Sequence, residues 1–149
     1  MTAAALVAAL DEATELAARG APAPEVVTDL VLRILVEASD TPAVLDALKG
    51  GSAGRALLRI TDGERAIEFQ AGDGAVFAEL ADPKGRGPKV DATAATWLGL
   101  LGGTLKPWLA FTRGLVIARA GITELRWMQQ TAERLQRGYE EARRLESAR

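Results

Sequence analysis

The polar residues most able to do chemistry in this chain cluster around its most apolar stretch, LLGGTLKPWLAFTRGLVIARAG, from Leu100 to Gly121. Lys106 and Arg113 flank a turn at Pro107. They could meet a carboxylate or phosphate head group, or stand as ordinary solvated cations. Arg119 ends a run that reads as buried, so it needs an acidic partner such as Asp91 or Glu124. The chain has no histidine and no cysteine. That excludes a Ser-His-Asp triad, a thiolate nucleophile, histidine- or cysteine-ligated metal and disulfides. An enzyme built from the remaining residues would need a carboxylate, such as Asp91 or Glu68, whose pKa is raised by burial. No cofactor is expected.

Composition narrows the classes further. A net charge of −2 in 149 residues gives no electrostatic reason for a nucleic-acid partner. The arginine-rich end, RLQRGYEEARRLESAR, balances Arg with Glu at helical spacing and reads as a solvated face. At 48% hydrophobic and 26% charged, the chain is globular in type and long enough for one sizeable core. Lys106, Pro107 and Arg113 break the apolar stretch, whereas a membrane span needs about 20 predominantly apolar residues. The start, MTAAALVAALDEATELAARG, carries acidic residues inside its apolar pattern and does not read as a signal peptide. A cytoplasmic protein is expected.

The elements that must position these residues follow from periodicity. Ala3 to Arg19 reads as a helix stopped by Gly20, and APAP (Ala21 to Pro24) as a stiff linker. A second helix, Glu25 to Ala38, has an apolar stripe too wide to face water. It must bury against the body of the protein or a second subunit. A third spans Pro42 to Lys49. Two Asp-Gly pairs, Asp62-Gly63 and Asp73-Gly74, then sit between runs rich in strand formers and predict type I′ hairpins with positive φ at both central residues. The first turn sets Leu58 opposite Ile67, Ala56 opposite Phe69, Leu57 opposite Glu68 and Arg59 opposite Ala66. One apolar face results, and Val76, Ala78 and Leu80 extend it. After a loop, KVDA is strand-like, and Thr93 caps a helix from Ala94 to Leu101. A turn and a short helix precede GLVIARAG, a final strand whose unalternated Leu115 to Ala118 predicts burial on both faces. A long helix from Thr123 to Ser147 carries Leu125, Met128, Ala132, Leu135, Tyr139 and Ala142 on one stripe. That stripe either lies along its own core or forms a dimerising seam.

In this order of elements, WLGLLGGTLKPWLAFTRGLVI resembles the sterol carrier protein 2 family. Gly103, Leu105, Pro107, Ala110, Phe111 and Gly114 fall at the family's spacing, and RITDGERAIEFQAGDGAV resembles its first hairpins. The likeness runs from about Thr41 to Met128. It implies an α+β fold, a five-stranded and mostly antiparallel sheet covered by helices. An apolar tunnel would lie between sheet and helices for a fatty acid, acyl-CoA, sterol or isoprenoid, bound without catalysis. Residues 1–40 would then be an N-terminal helical extension on the same core, and 41–149 the lipid-binding domain. Trp97, Leu98, Leu101, Leu105, Trp108, Phe111, Leu115, Ile117, Leu125 and Met128 are the candidate wall, and no metal ligand is among them. Two departures from the family carry expectations. Pro88 cannot donate to a ladder, so the KVDA strand should be shortened or lie at an edge. Leu115 and Ile117 fill positions usually charged, so the outer side of the last strand should have extra cover, for which the N-terminal helices are the candidates. The alternative function is a helix-mediated oligomeric accessory protein without a lipid, a homodimer joined through Glu25–Ala38 or the C-terminal helix.

Overall fold

A computed structural model describes residues 3–20 and 23–149; Ala21 and Pro22 of the expected linker lie outside the described residues. The chain runs α1 (Ala4–Ala18), α2 (Pro24–Ala38), α3 (Pro42–Leu48), β1 (Gly54–Ile60), β2 (Ala66–Gly72), β3 (Ala75–Ala81) and β4 (Lys89–Ala92). It continues through α4 (Ala94–Leu101), α5 (Pro107–Thr112), β5 (Ile117–Arg119) and α6 (Ile122–Ser147). Proline occupies the first turn of α2, α3 and α5, where its missing N–H has no helical partner to lose. Thr93 caps α4, its hydroxyl accepting from the Thr96 N–H.

The five strands form one sheet in the order β3-β2-β1-β4-β5. Three of its pairings are antiparallel, and β1 with β4 is parallel. The register of β1 on β2 is the one hydrophobic alternation predicts, with Leu58 beside Ile67 and Ala56 beside Phe69. The turns reach it differently. Among the described residues only glycines have positive φ, and Gly63 is not one of them. The first hairpin is therefore not a type I′ turn but a longer connection from Thr61 to Arg65. The reason is tertiary: the Asp62 carboxylate accepts from the Ala94 N–H at 2.8 Å, so the loop is shaped to cap α4. In the second hairpin Gly74 alone is left-handed, at φ +74°.

Strand β4 is shortened to four residues, yet it lies inside the sheet rather than at an edge. Pro88 stands just before it and contributes its carbonyl, which accepts from the Leu57 N–H at 2.8 Å. Strand β5 corrects a second expectation. Val116 is buried, but Leu115 and Ile117 are 43% and 49% exposed, and only Ile117–Arg119 pair. The N-terminal helices do not cover its outer side. α1 packs on α2, α4 and α6, while α2 packs on α4 and on β3 at the far edge of the sheet.

The apolar stripe of α2 is satisfied within the chain, with Val27, Leu30, Val31, Ile34, Leu35 and Ala38 all in the core. The stripe of α6 is likewise turned inward, with Met128, Tyr139 and Ala142 buried. Helix α6 approaches α3 so closely that a Cβ on Gly138 would stand 2.8 Å from the Val44 Cα. Glycine costs about 1 kcal/mol in a helix interior; here it permits the contact. Gly138→Val is therefore expected to lower stability by about 2 kcal/mol through overpacking, read from the urea midpoint.

Candidate functional site

The sheet presents Ala56, Leu58, Phe69 and Val90 toward the helices, and α6 crosses above them. Between these layers lie two adjoining hollows. The inner chamber, about 140 Å³, is walled by the sheet residues, by Val31 and Leu35 of α2, by Trp97 of α4, and by Trp127 and Met128 of α6. The outer cleft, about 890 Å³, lies between α6 and the segment from Leu101 to Thr112, with Leu10 of α1 at one side. Leu101, Pro107, Phe111, Ala132, Gln136 and Tyr139 line both.

Local chemistry explains why the two buried indoles can serve as apolar wall. Trp97 donates its ring N–H to the Arg59 carbonyl at 3.1 Å, and Trp127 donates to the Ser52 carbonyl at 2.9 Å. Their polar edges are satisfied against backbone, which leaves the ring faces for packing. Trp108 differs: it is 58% exposed on α5 and lines the cleft. Gln136 donates its side-chain amide to the Leu100 carbonyl at 3.0 Å, tying α6 to the end of α4.

Of the ten wall residues expected from sequence, Trp97, Leu101, Phe111 and Met128 line the chamber. Leu101, Leu105, Trp108, Phe111 and Leu125 line the cleft. Leu98 is fully buried in the core and lines neither hollow, and Leu115 and Ile117 face outward. The wall also draws on residues outside those ten: Trp127, Leu135, Gln136 and Tyr139 of α6, and Val31 and Leu35 of α2. Leu135 and Tyr139 were visible in the long helical stripe, but a stripe does not say whether it meets side chains, a partner or a hollow. Among the cations, Lys106 lines the cleft and Arg113 lies outside both hollows.

The outer face of the sheet holds the strongest electrostatic arrangement. Asp91 on β4 is 5% exposed and accepts from Arg59 of β1 through two bonds of 2.6 Å and from Arg119 of β5 at 2.9 Å. Arg119 thus finds the partner its position required. The Arg59 hydrogen bond chiefly, with help from Arg119, holds the Asp91 carboxyl below the usual carboxylate range against the opposing effect of burial. An enzyme relying on Asp91 would need the opposite shift. Asp91 is a charged clamp across three strands, not a proton shuttle. Glu68 pairs with Arg55 at 2.7 Å on the same face.

No protein-family profile matches the chain, and no curated protein matches it closely in sequence. Solved structures do share its fold. The hypothetical protein TT1886 from Thermus thermophilus, described as a candidate sterol carrier protein, is 24% identical with a TM-score of 0.50, covering 68% of this chain and 78% of its own. A crystal structure of sterol carrier protein 2 gives the same identity and TM-score over 68% of this chain and 87% of its own. The sec-alkylsulfatase Pisa1 from Pseudomonas sp. is 15% identical with a TM-score of 0.51, matching 70% of this chain but only 16% of the sulfatase. The architecture is therefore the α+β fold of sterol carrier protein 2. Among the described residues no helix is long and apolar enough to cross a membrane.

Proposed function

We propose that this chain is a non-enzymatic binder or carrier of an apolar ligand, a fatty acid, acyl-CoA, sterol or isoprenoid, held in the two hollows under α6. The observation that carries the reading is the shared wall. A chamber of about 140 Å³ is close to the engineered apolar cavity of about 150 Å³ that accepts benzene, so alone it takes only a ligand's tip. The adjoining cleft, at about 890 Å³, lies within the usual range for ligand sites of about 300–1,000 Å³. Each methylene moved from water into such walls contributes about 0.8 kcal/mol, so a chain is held without directional chemistry. The fold shared with sterol carrier protein 2 supports the same reading.

The oligomeric alternative has less to stand on, because the apolar stripes of α2 and α6 are spent inside the chain. Native mass spectrometry of the purified protein, with extracted lipids identified in parallel, tests the proposal. A bound mass of one of these classes is expected. A bare polypeptide mass that excess lipid does not change would sink it. Ala132→Phe, which fills the wall common to both hollows, is expected to weaken ligand retention at least tenfold while leaving the thermal midpoint within about 3 °C.

A further inference from the structure

The run from Ala92 to Thr123 contains no aspartate or glutamate, in a chain whose net charge is −2. Its cations are Lys106, Arg113 and Arg119. Arg119 is committed to Asp91, whereas Lys106 and Arg113 are exposed and, among the described residues, stand in no ion pair. The same run holds half of the exposed large apolar side chains that are described: Trp108, Phe111, Leu115, Ile117 and Ile122. Scattered singly they would need no explanation; gathered in one short run they mark an interaction surface. Ile122 is 76% exposed and lies one turn before Leu125, on the face of α6 that lines the cleft with Trp108 and Phe111. The elements involved stand at the β5 edge of the sheet, while α1 and α2 cover other surfaces. The first carboxylate beyond the run, Glu124, folds back to within 3.0 Å of where a Cβ on Gly121 would stand. There the dipole of α6 offsets its charge. Glu133 and Glu140 come later on α6, interleaved with Arg137 and Arg143.

We propose that this surface, Lys106 to Leu115 with the start of α6, docks on an anionic lipid bilayer. Trp108, Phe111, Leu115 and Ile122 enter the boundary between head groups and acyl chains, and Lys106 and Arg113 meet the anionic head groups. Tryptophan suits that depth because its ring is apolar while its N–H stays among polar groups. A second copy of this chain suits the surface poorly, since a two-fold contact would set the same cations against one another. The choice of a bilayer over an acidic protein rests on the lipid-binding reading above. Lys106, Trp108 and Phe111 belong to the cleft as well as to this surface, so docking sets the cleft against a source of apolar ligand.

Flotation with vesicles of phosphatidylcholine and phosphatidylserine in equal parts, against phosphatidylcholine alone, tests the surface. Wild type is expected to bind the anionic vesicles at least about tenfold more tightly. Lys106→Gln with Arg113→Gln should weaken that binding about 25-fold, since each cation near such a surface is worth about fivefold. Trp108→Ala should weaken it about tenfold. Lys84→Gln with Arg86→Gln removes equal charge from the loop over the outer face of β1, where Arg59 reaches the Pro83 carbonyl. That pair should change binding by less than about twofold. If a variant unfolds, hydrogen exchange on wild type decides: anionic vesicles are expected to protect residues 106–117 and not 82–88. Wild type that floats with neither vesicle overturns bilayer docking and leaves an acidic protein as the occupant. Native mass spectrometry of bound lipid judges the carrier reading separately. Equal binding to both vesicles overturns the anionic bilayer as the partner. Protection confined to other residues, or an equal loss in the Lys84 and Arg86 variant, overturns the surface.

Discussion

Trp127→Ala is expected to lower the unfolding free energy by about 4 kcal/mol, the cost typical of removing a buried tryptophan. The indole is 8% exposed and lies directly over β1, where Gly54 makes room for it: a Cβ there would stand 2.3 Å from the ring. It packs beside Phe69, with ring centroids 6.1 Å apart and tilted by 39°. Its N–H holds the Ser52 carbonyl, so truncation also unpairs the backbone just before β1. Because the ring walls the chamber, its loss should enlarge the space under α6 as well as weaken the core. Urea denaturation checks the stability, and native mass spectrometry checks whether the variant retains a larger ligand. A loss under about 1.5 kcal/mol would mean that the ring is not packed as described.

The second large effect lies on the opposite face of the sheet. Asp91→Ala should cost about 3 kcal/mol, because it leaves two guanidinium groups side by side with no anion between them. Most of that loss belongs to Arg59, whose side chain is 25% exposed; Arg119, at 60%, is largely screened by water. The pH dependence has a definite sign. The folded-state pKa of Asp91 is depressed, so its stabilisation is present above the unfolded value of about 3.8 and is lost as pH falls through the folded one. Wild type and variant should therefore differ fully at pH 7 and converge below about pH 4. A gap that stayed constant down to pH 2 would show that the carboxylate charge is not the source. This clamp spans β1, β4 and β5, where the parallel pairing of β1 with β4 brings Arg59 level with Asp91.

Much of this architecture is legible in the residues because it rests on local rules. Hydrophobic alternation along Ala56–Ile60 and Ile67–Phe69 specifies which face is buried, and a slip of one residue would turn both strands inside out. Thr93 and the prolines at 24, 42 and 107 mark helix starts through hydrogen-bond needs confined to one turn. Pro88 pointed to a β4 that is shortened or at an edge; the strand is short, but its place inside the sheet was not legible from the proline.

What the tertiary structure alone decided is which surfaces meet. Asp62-Gly63 has the residues of a tight turn, yet Asp62 is drawn away to cap α4, a partner 32 positions distant. Leu115 and Ile117 are apolar and nevertheless exposed, because burial depends on whether another element arrives, and α1 and α2 went to the other side of the molecule. The same holds for the site. The amphipathic stripe of α6 was determined by spacing, since side chains three and four apart share one face. Whether that face met another subunit, solid core or a hollow depended on the distance between α6 and the sheet, which no pattern within a single helix encodes.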